Sequence, residues 1–193
     1  MPFTKAAVEL FISDKITAIS LCGAQPIAAE LSNSQNWISG YGLSVIFNNH
    51  PPEHLRPFAI QFLRRISMAI AEHERMREEL VSLVTGNPQW SPYYRALHHG
   101  EQCCALTYQA YDYIRKLTAT QLFESGDNSS LDRLNLLYNA AKHSAAIERD
   151  PVWLTNEGLA CDQGSLAFLE LETLIRDFAA VAEGLAYAPK PDA

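Results

Sequence analysis

Residues 58–84 read FAIQFLRRISMAIAEHERMREELVSLV, and this stretch decides the fold. Phe58, Phe62, Ile66, Ile70, His73, Met76, Leu80 and Val84 recur at three- and four-residue steps, which places them in one stripe along an α-helix. Pro51 and Pro52 suit the approach to a helix start, and Glu53 suits its first turn. Pro57 sits close to that start, so regular helix begins around it. Gly86, Asn87 and Pro88 end the run.

Working outward, Val8, Phe11, Ile12, Ile16 and Ile19 give the same period over Lys5 to Leu21, and Gly23 and Pro26 break it. Residues 32–49 are rich in Asn, Ser and Gly around Trp37, Ile38, Tyr41, Val45, Ile46 and Phe47. They read as a packed connection with one helical turn. A third helix is predicted from Ser91-Pro92 to about Phe123, softened at Gly100 by ~1 kcal/mol relative to alanine. After a polar loop at 125–130, a fourth runs from Leu131 to Glu148 and is closed by Arg149-Asp150-Pro151. Val152 to Thr155 and Leu159 to Cys161 flank Asn156-Glu157-Gly158 and read as a short β-hairpin. A fifth helix follows from Ser165 to Leu185, and 188–193 read as a disordered tail. The fold class is therefore all-α: one helical-bundle domain over 1–187, of about five helices with one short hairpin near 152–161. Long apolar helices carrying many tyrosines imply more apolar surface than one bundle hides, and hence a homodimer.

The chain has 193 residues, 48% hydrophobic and 19% charged, with a formal net charge of -7. That composition is globular, and it argues against nucleic acid bound over the whole surface, while one basic cleft stays compatible with it. Asp14 and Lys15 interrupt the N-terminal apolar stretch, so it does not read as a secretory signal. No window reaches the ~18 apolar residues of a membrane helix. Cys22, Cys103, Cys104 and Cys161 read as reduced thiols of a cytoplasmic protein with no membrane partner.

Several constellations compete for chemistry. His50-Pro51-Pro52-Glu53-His54 has the letters of an inverted zinc-protease motif, but Pro51 disfavours helical geometry at His50, so helix initiation is the better reading. His98, His99, Glu101, Cys103 and Cys104 crowd one run without a second ligand cluster, so no metal and no cofactor is expected. Tyr93, Tyr94, Tyr108, Tyr111 and Tyr113 read as core or interface aromatics, with base stacking as the alternative. Glu101, Tyr108 and Asp112 share a face with Leu97 and Cys104. This suggests an internal polar network or a cleft, with Arg115 placed to neutralise Asp112. His73, on the apolar stripe, reads as a hydrogen-bonded core histidine.

The most informative run is Asp132-Arg133-Leu134-Asn135-Leu136-Leu137-Tyr138-Asn139-Ala140-Ala141-Lys142-His143. Asn135, Asn139 and Lys142 or His143 follow helical steps and project from one side, which is either solvated or lines a polar site. This segment resembles the HEPN superfamily, whose members are helical bundles, often dimeric, many of them metal-independent ribonucleases. Their signature, R-N-x-x-K-H, is matched at Asn139, Lys142 and His143, and Tyr138 stands where the arginine is usual. Residues 151–158 and the helix bearing Glu170 and Glu172 also look like the tail of some bacterial members. The resemblance implies His143 as the proton-transferring group and Asn139 as a catalytic orienting group, with Tyr138 and Lys142 binding substrate; helical spacing adds Asn135 to the substrate-binding side. The resemblance implies RNA as the ligand. A non-catalytic module that binds a protein partner is the alternative.

Overall fold

A computed structural model describes residues 23–48, 51–85, 90–142 and 152–187. The helix expected over Lys5 to Leu21, the tail, the last turns of the fourth helix with His143, and His50 lie outside the described residues. Five helices are described: α1 (Trp37–Asn48), α2 (Arg56–Thr85), α3 (Trp90–Thr118), α4 (Ser130–Lys142) and α5 (Phe168–Ala186). Three short strands, β1 (Trp153–Leu154), β2 (Gly158–Cys161) and β3 (Gly164–Ala167), form one antiparallel sheet in the order β1-β2-β3. The all-α bundle with a small hairpin element is thus the observed architecture.

The centre is an antiparallel pair. The α2 stripe packs on α3, and cross-links run the length of both helices. Arg95 pairs with Glu79 at 2.7 Å, His99 Nδ1 lies 2.6 Å from Glu72 Oε2, the Cys103 thiol donates to the Ala69 carbonyl at 3.4 Å, and Lys116 lies over the Phe58 ring. Phe62, Leu63, Ile66, Met76 and Leu80 of α2 are buried in the core, and Phe62 meets Phe178 of α5 edge-on. Each contributes ~1.5–3 kcal/mol through lost water contact. Pro57 is tolerated because it lies in the first turn of α2, where no intrahelical N–H bond is lost; a 3₁₀ turn over Glu53–Leu55 precedes it.

Three elements differ from the sequence reading. Within the 32–49 stretch, residues 32–48 are a 3₁₀ turn (Ser32–Asn36) followed by the twelve-residue helix α1. Its glycines and serines lower intrinsic helix propensity, and burial of Trp37 and Tyr41 overrides them. Helix α3 ends at Thr118 and not near Phe123, because Ala119 takes a left-handed conformation, φ 54°. Phe123 still packs on Tyr111, ring centroids 5.3 Å apart, but from a loop. The hairpin gains a third strand: Gly164–Ala167 pairs with β2, so α5 starts at Phe168. Leu159 and Leu166 are directly paired and both buried, and Leu159 packs where α3 has Gly100. A β-carbon at Gly100 would fall 2.9 Å from Leu159 Cδ2 and 3.0 Å from Met76 Sδ, so alanine there would displace these side chains.

Candidate functional site

Helix α4 carries Asn135, Tyr138, Asn139 and Lys142 of the sequence-predicted residues, His143 lying outside the described residues, and its start is fixed by a buried carboxylate. Asp132 accepts the backbone N–H of Gly126 at 3.1 Å and of Asn128 at 3.2 Å, folding the preceding loop onto the first turn. Leu131, Leu134, Leu137 and Ala140 are buried, which turns Asn135, Tyr138, Asn139 and Lys142 outward. The Asn139 side-chain N–H₂ donates to Asn135 Oδ1 at 3.0 Å. An amide has two donors and an acceptor, so each of these side chains retains further hydrogen-bonding capacity.

Tyr138 stacks on Tyr108 of α3, with ring centroids 4.8 Å apart and planes 21° from parallel. The Lys142 ammonium lies 5.8 Å from the Tyr138 ring centre, within cation–π reach. The result is a half-buried aromatic pair edged by two amides and one exposed cation. Burial raises the Tyr108 hydroxyl above the usual tyrosine range, with Asp112 adding to the effect, so Tyr108 acts as a hydrogen-bonding phenol at neutral pH. Tyr108 is the partner that sequence reasoning missed for this site. Its signal was present, since it falls on the Glu101–Asp112 face of α3, but nothing local says that this face meets α4.

Arg133 does not supply the charge that Tyr138 lacks. Its guanidinium pairs with Glu170 at the start of α5 and with the Asn128 carbonyl, at the opposite end of α4 from Lys142. That pair walls an open cleft of about 740 Å³, whose other sides include Thr155, Asn156, Ser165 and Ala167. Arg133 and Glu170 satisfy each other there.

The remaining candidates separate. Glu53 and His54 are exposed in the 3₁₀ turn before α2. His99 is committed to Glu72, while Cys103 and Cys104 point into the core, where burial pushes the Cys104 thiol up to about 12. No metal-ligating cluster of three exists among the described residues. Arg115 reaches Asp112 at 3.6 Å as expected, and burial raises the Glu101 carboxyl. Tyr93 is a core residue whose hydroxyl accepts the Leu154 N–H at 3.2 Å, and Tyr94 is exposed.

His73 is buried as expected, but neither ring nitrogen has a hydrogen bond of acceptable geometry. Its Nε2 lies 3.4 Å from Oε1 of the equally buried Glu172, which accepts the Gln25 backbone N–H. Burial first, then Arg77 and Arg176, lower its pKa to about 4 against the pull of Glu74, so the ring is neutral near pH 7. No helix among the described residues is long and apolar enough to cross a membrane. No protein-family model, curated protein or solved structure matches the chain.

Proposed function

We propose that this is a HEPN-like helical protein that binds single-stranded RNA at the exposed end of α4. The observation that carries the reading is the Tyr108–Tyr138 stack with Lys142 beside it and the Asn135–Asn139 amides one turn away. Aromatic faces accept bases of any sequence, amides read base edges or phosphate oxygens, and a lysine neutralises a phosphate. The overall charge of -7 confines such binding to this patch and makes it salt-sensitive.

Cleavage is the further step the resemblance implies. His143 would move the proton between the ribose hydroxyl and the leaving oxygen, since histidine titrates near neutral pH. Asn139 would orient the phosphate, and Lys142 would take the charge-stabilising role of the missing arginine. The test is to incubate wild type, His143→Ala and Tyr138→Arg with mixed cellular RNA without metal. Cleavage lost in His143→Ala supports a ribonuclease. Binding without cleavage in all three leaves an RNA-binding protein. Neither binding nor cleavage overturns the reading.

A homodimer is part of this reading, and a second reading, a non-catalytic protein-interaction or scaffold module, is favoured by one different observation that bears on both. Helix α1 carries no charged residue, and Ile38, Leu43, Ile46 and Phe47 on it are exposed.

A further inference from the structure

A helix apolar on all sides belongs in an interior. Helix α1 has the sequence WISGYGLSVIFN, and one side of it is spent on the core, where Trp37, Tyr41 and Ser44 are buried. Its other side is two rows at four-residue spacing: Ile38-Gly42-Ile46 and Ser39-Leu43-Phe47. Leu43 is 56% exposed, Ile46 73% and Phe47 71%. A β-carbon built at Gly42 meets nothing within 4 Å, so the middle of this face is an open notch.

We infer that this face of α1 is the interface with a second copy of the chain, related by a two-fold axis passing between Gly42 and Leu43. The pattern is self-complementary. An antiparallel copy centred there sets Leu43 into the notch at the partner's Gly42, Ile46 over the partner's Ser39, and Phe47 against the partner's Ile38. Large meets small at the crossing, and both contacts repeat by symmetry, which is how an isologous interface is built. The lack of charge points the same way. Two identical charged faces would repel, whereas α1 has no Asp, Glu, Lys or Arg to bring together.

The exposed area suffices for the apolar core of such an interface and leaves its rim to flanking residues. At roughly 200 Å² for a large side chain, the exposed parts of Ile38, Leu43, Ile46 and Phe47 come to roughly 500 Å². A stable dimer needs ~800 Å² per partner, with an apolar core and a polar rim. The stripe is that core. The half-exposed Tyr187, which flanks α1 beside Gly40, extends it.

The inference rests on the homodimer reading above and assigns its surface, on the short helix and not on the long α2 and α3. The experiment is sedimentation equilibrium of the full chain from about 1 to 50 µM, a range set by typical affinities. Wild type is compared with Ile46→Asp and with Gly42→Cys, and far-ultraviolet spectra report folding. The dimer expected for wild type should become monomer in Ile46→Asp. Gly42→Cys should form a disulfide-linked dimer on mild oxidation that wild type does not form, which tests the crossing without adding charge to the face. A wild-type dimer that survives Ile46→Asp and yields no Gly42→Cys cross-link refutes the α1 assignment and leaves the homodimer standing. A wild-type monomer at 50 µM refutes both, and gives the face to another part of the chain or to a different protein.

Discussion

The buried His73–Glu172 pair makes the stability of this fold pH-dependent in a calculable way. Both side chains are fully buried, at the contact of α2 with α5. The imidazole titrates at about 4 in the folded chain against 6.5 when free, chiefly because burial disfavours the charged ring. A depressed histidine pKa means that the unfolded chain binds the proton first. The stabilisation is therefore complete above pH 6.5 and is lost as pH falls from 6.5 towards 4. At about 1.4 kcal/mol per pH unit, the loss is about 3 kcal/mol. Glu172 works in the opposite sense, because burial raises its carboxyl and so favours the fold at acid pH. Comparing wild type with His73→Leu, which keeps Glu172, isolates the histidine. Urea titrations followed by far-ultraviolet circular dichroism at half-unit steps from pH 7.5 to 4 would measure it. Wild type should lose about 3 kcal/mol more than His73→Leu over this range, a midpoint difference of ~1–2 M urea for a typical slope. Parallel curves would show that His73 is not held neutral by burial, and the packing of α2 on α5 described above would be wrong.

Two further predictions concern the scaffold of the site. A β-carbon at Gly158 would lie 2.0 Å from the Leu166 carbonyl oxygen, so Gly158→Ala should cost about 3 kcal/mol or more by forcing β2 from β3, seen as a lowered thermal midpoint. Asp132→Ala removes the buried acceptor of two backbone N–H groups and should cost about 2–3 kcal/mol, whereas Asp132→Asn, which keeps an acceptor, should cost less by chemical denaturation.

Long periodic elements were legible from sequence because their signal is redundant. Eight stripe positions of α2 agree with one another, so the misfit of Pro57 did not matter. Helix α1 was not legible, because its two glycines and two serines favour a loop locally and only the burial of Trp37 and Tyr41 against other elements makes it a helix. The third strand was hidden for a related reason. Ser165, Leu166 and Ala167 are too few to show alternation, and their pairing partner was assigned to a hairpin already complete; Asp162-Gln163-Gly164 was the available turn signal. At the site, helical spacing groups Asn135, Asn139 and Lys142 or His143, and Tyr138 joins them only through the resemblance to the R-N-x-x-K-H motif. What spacing cannot show is which face of α3 they meet, so the sequence places Tyr108 beside Glu101 and Asp112 without showing that it is the partner of Tyr138. Nor could it show where Arg133 is spent, since Glu170 lies thirty-seven positions away.

The central claim is that the Tyr108–Tyr138 platform holds RNA. Its most direct test is the affinity of a fluorescein-labelled single-stranded RNA, by anisotropy at about 50 mM salt, for wild type, Tyr138→Phe and Tyr138→Ala. Stacking on an aromatic is worth ~1–3 kcal/mol per base. Tyr138→Ala should therefore weaken binding about 5- to 150-fold while Tyr138→Phe stays near wild type. Equal affinity of Tyr138→Ala and wild type, or no wild-type binding at tens of micromolar (a weak-affinity limit), would contradict the account.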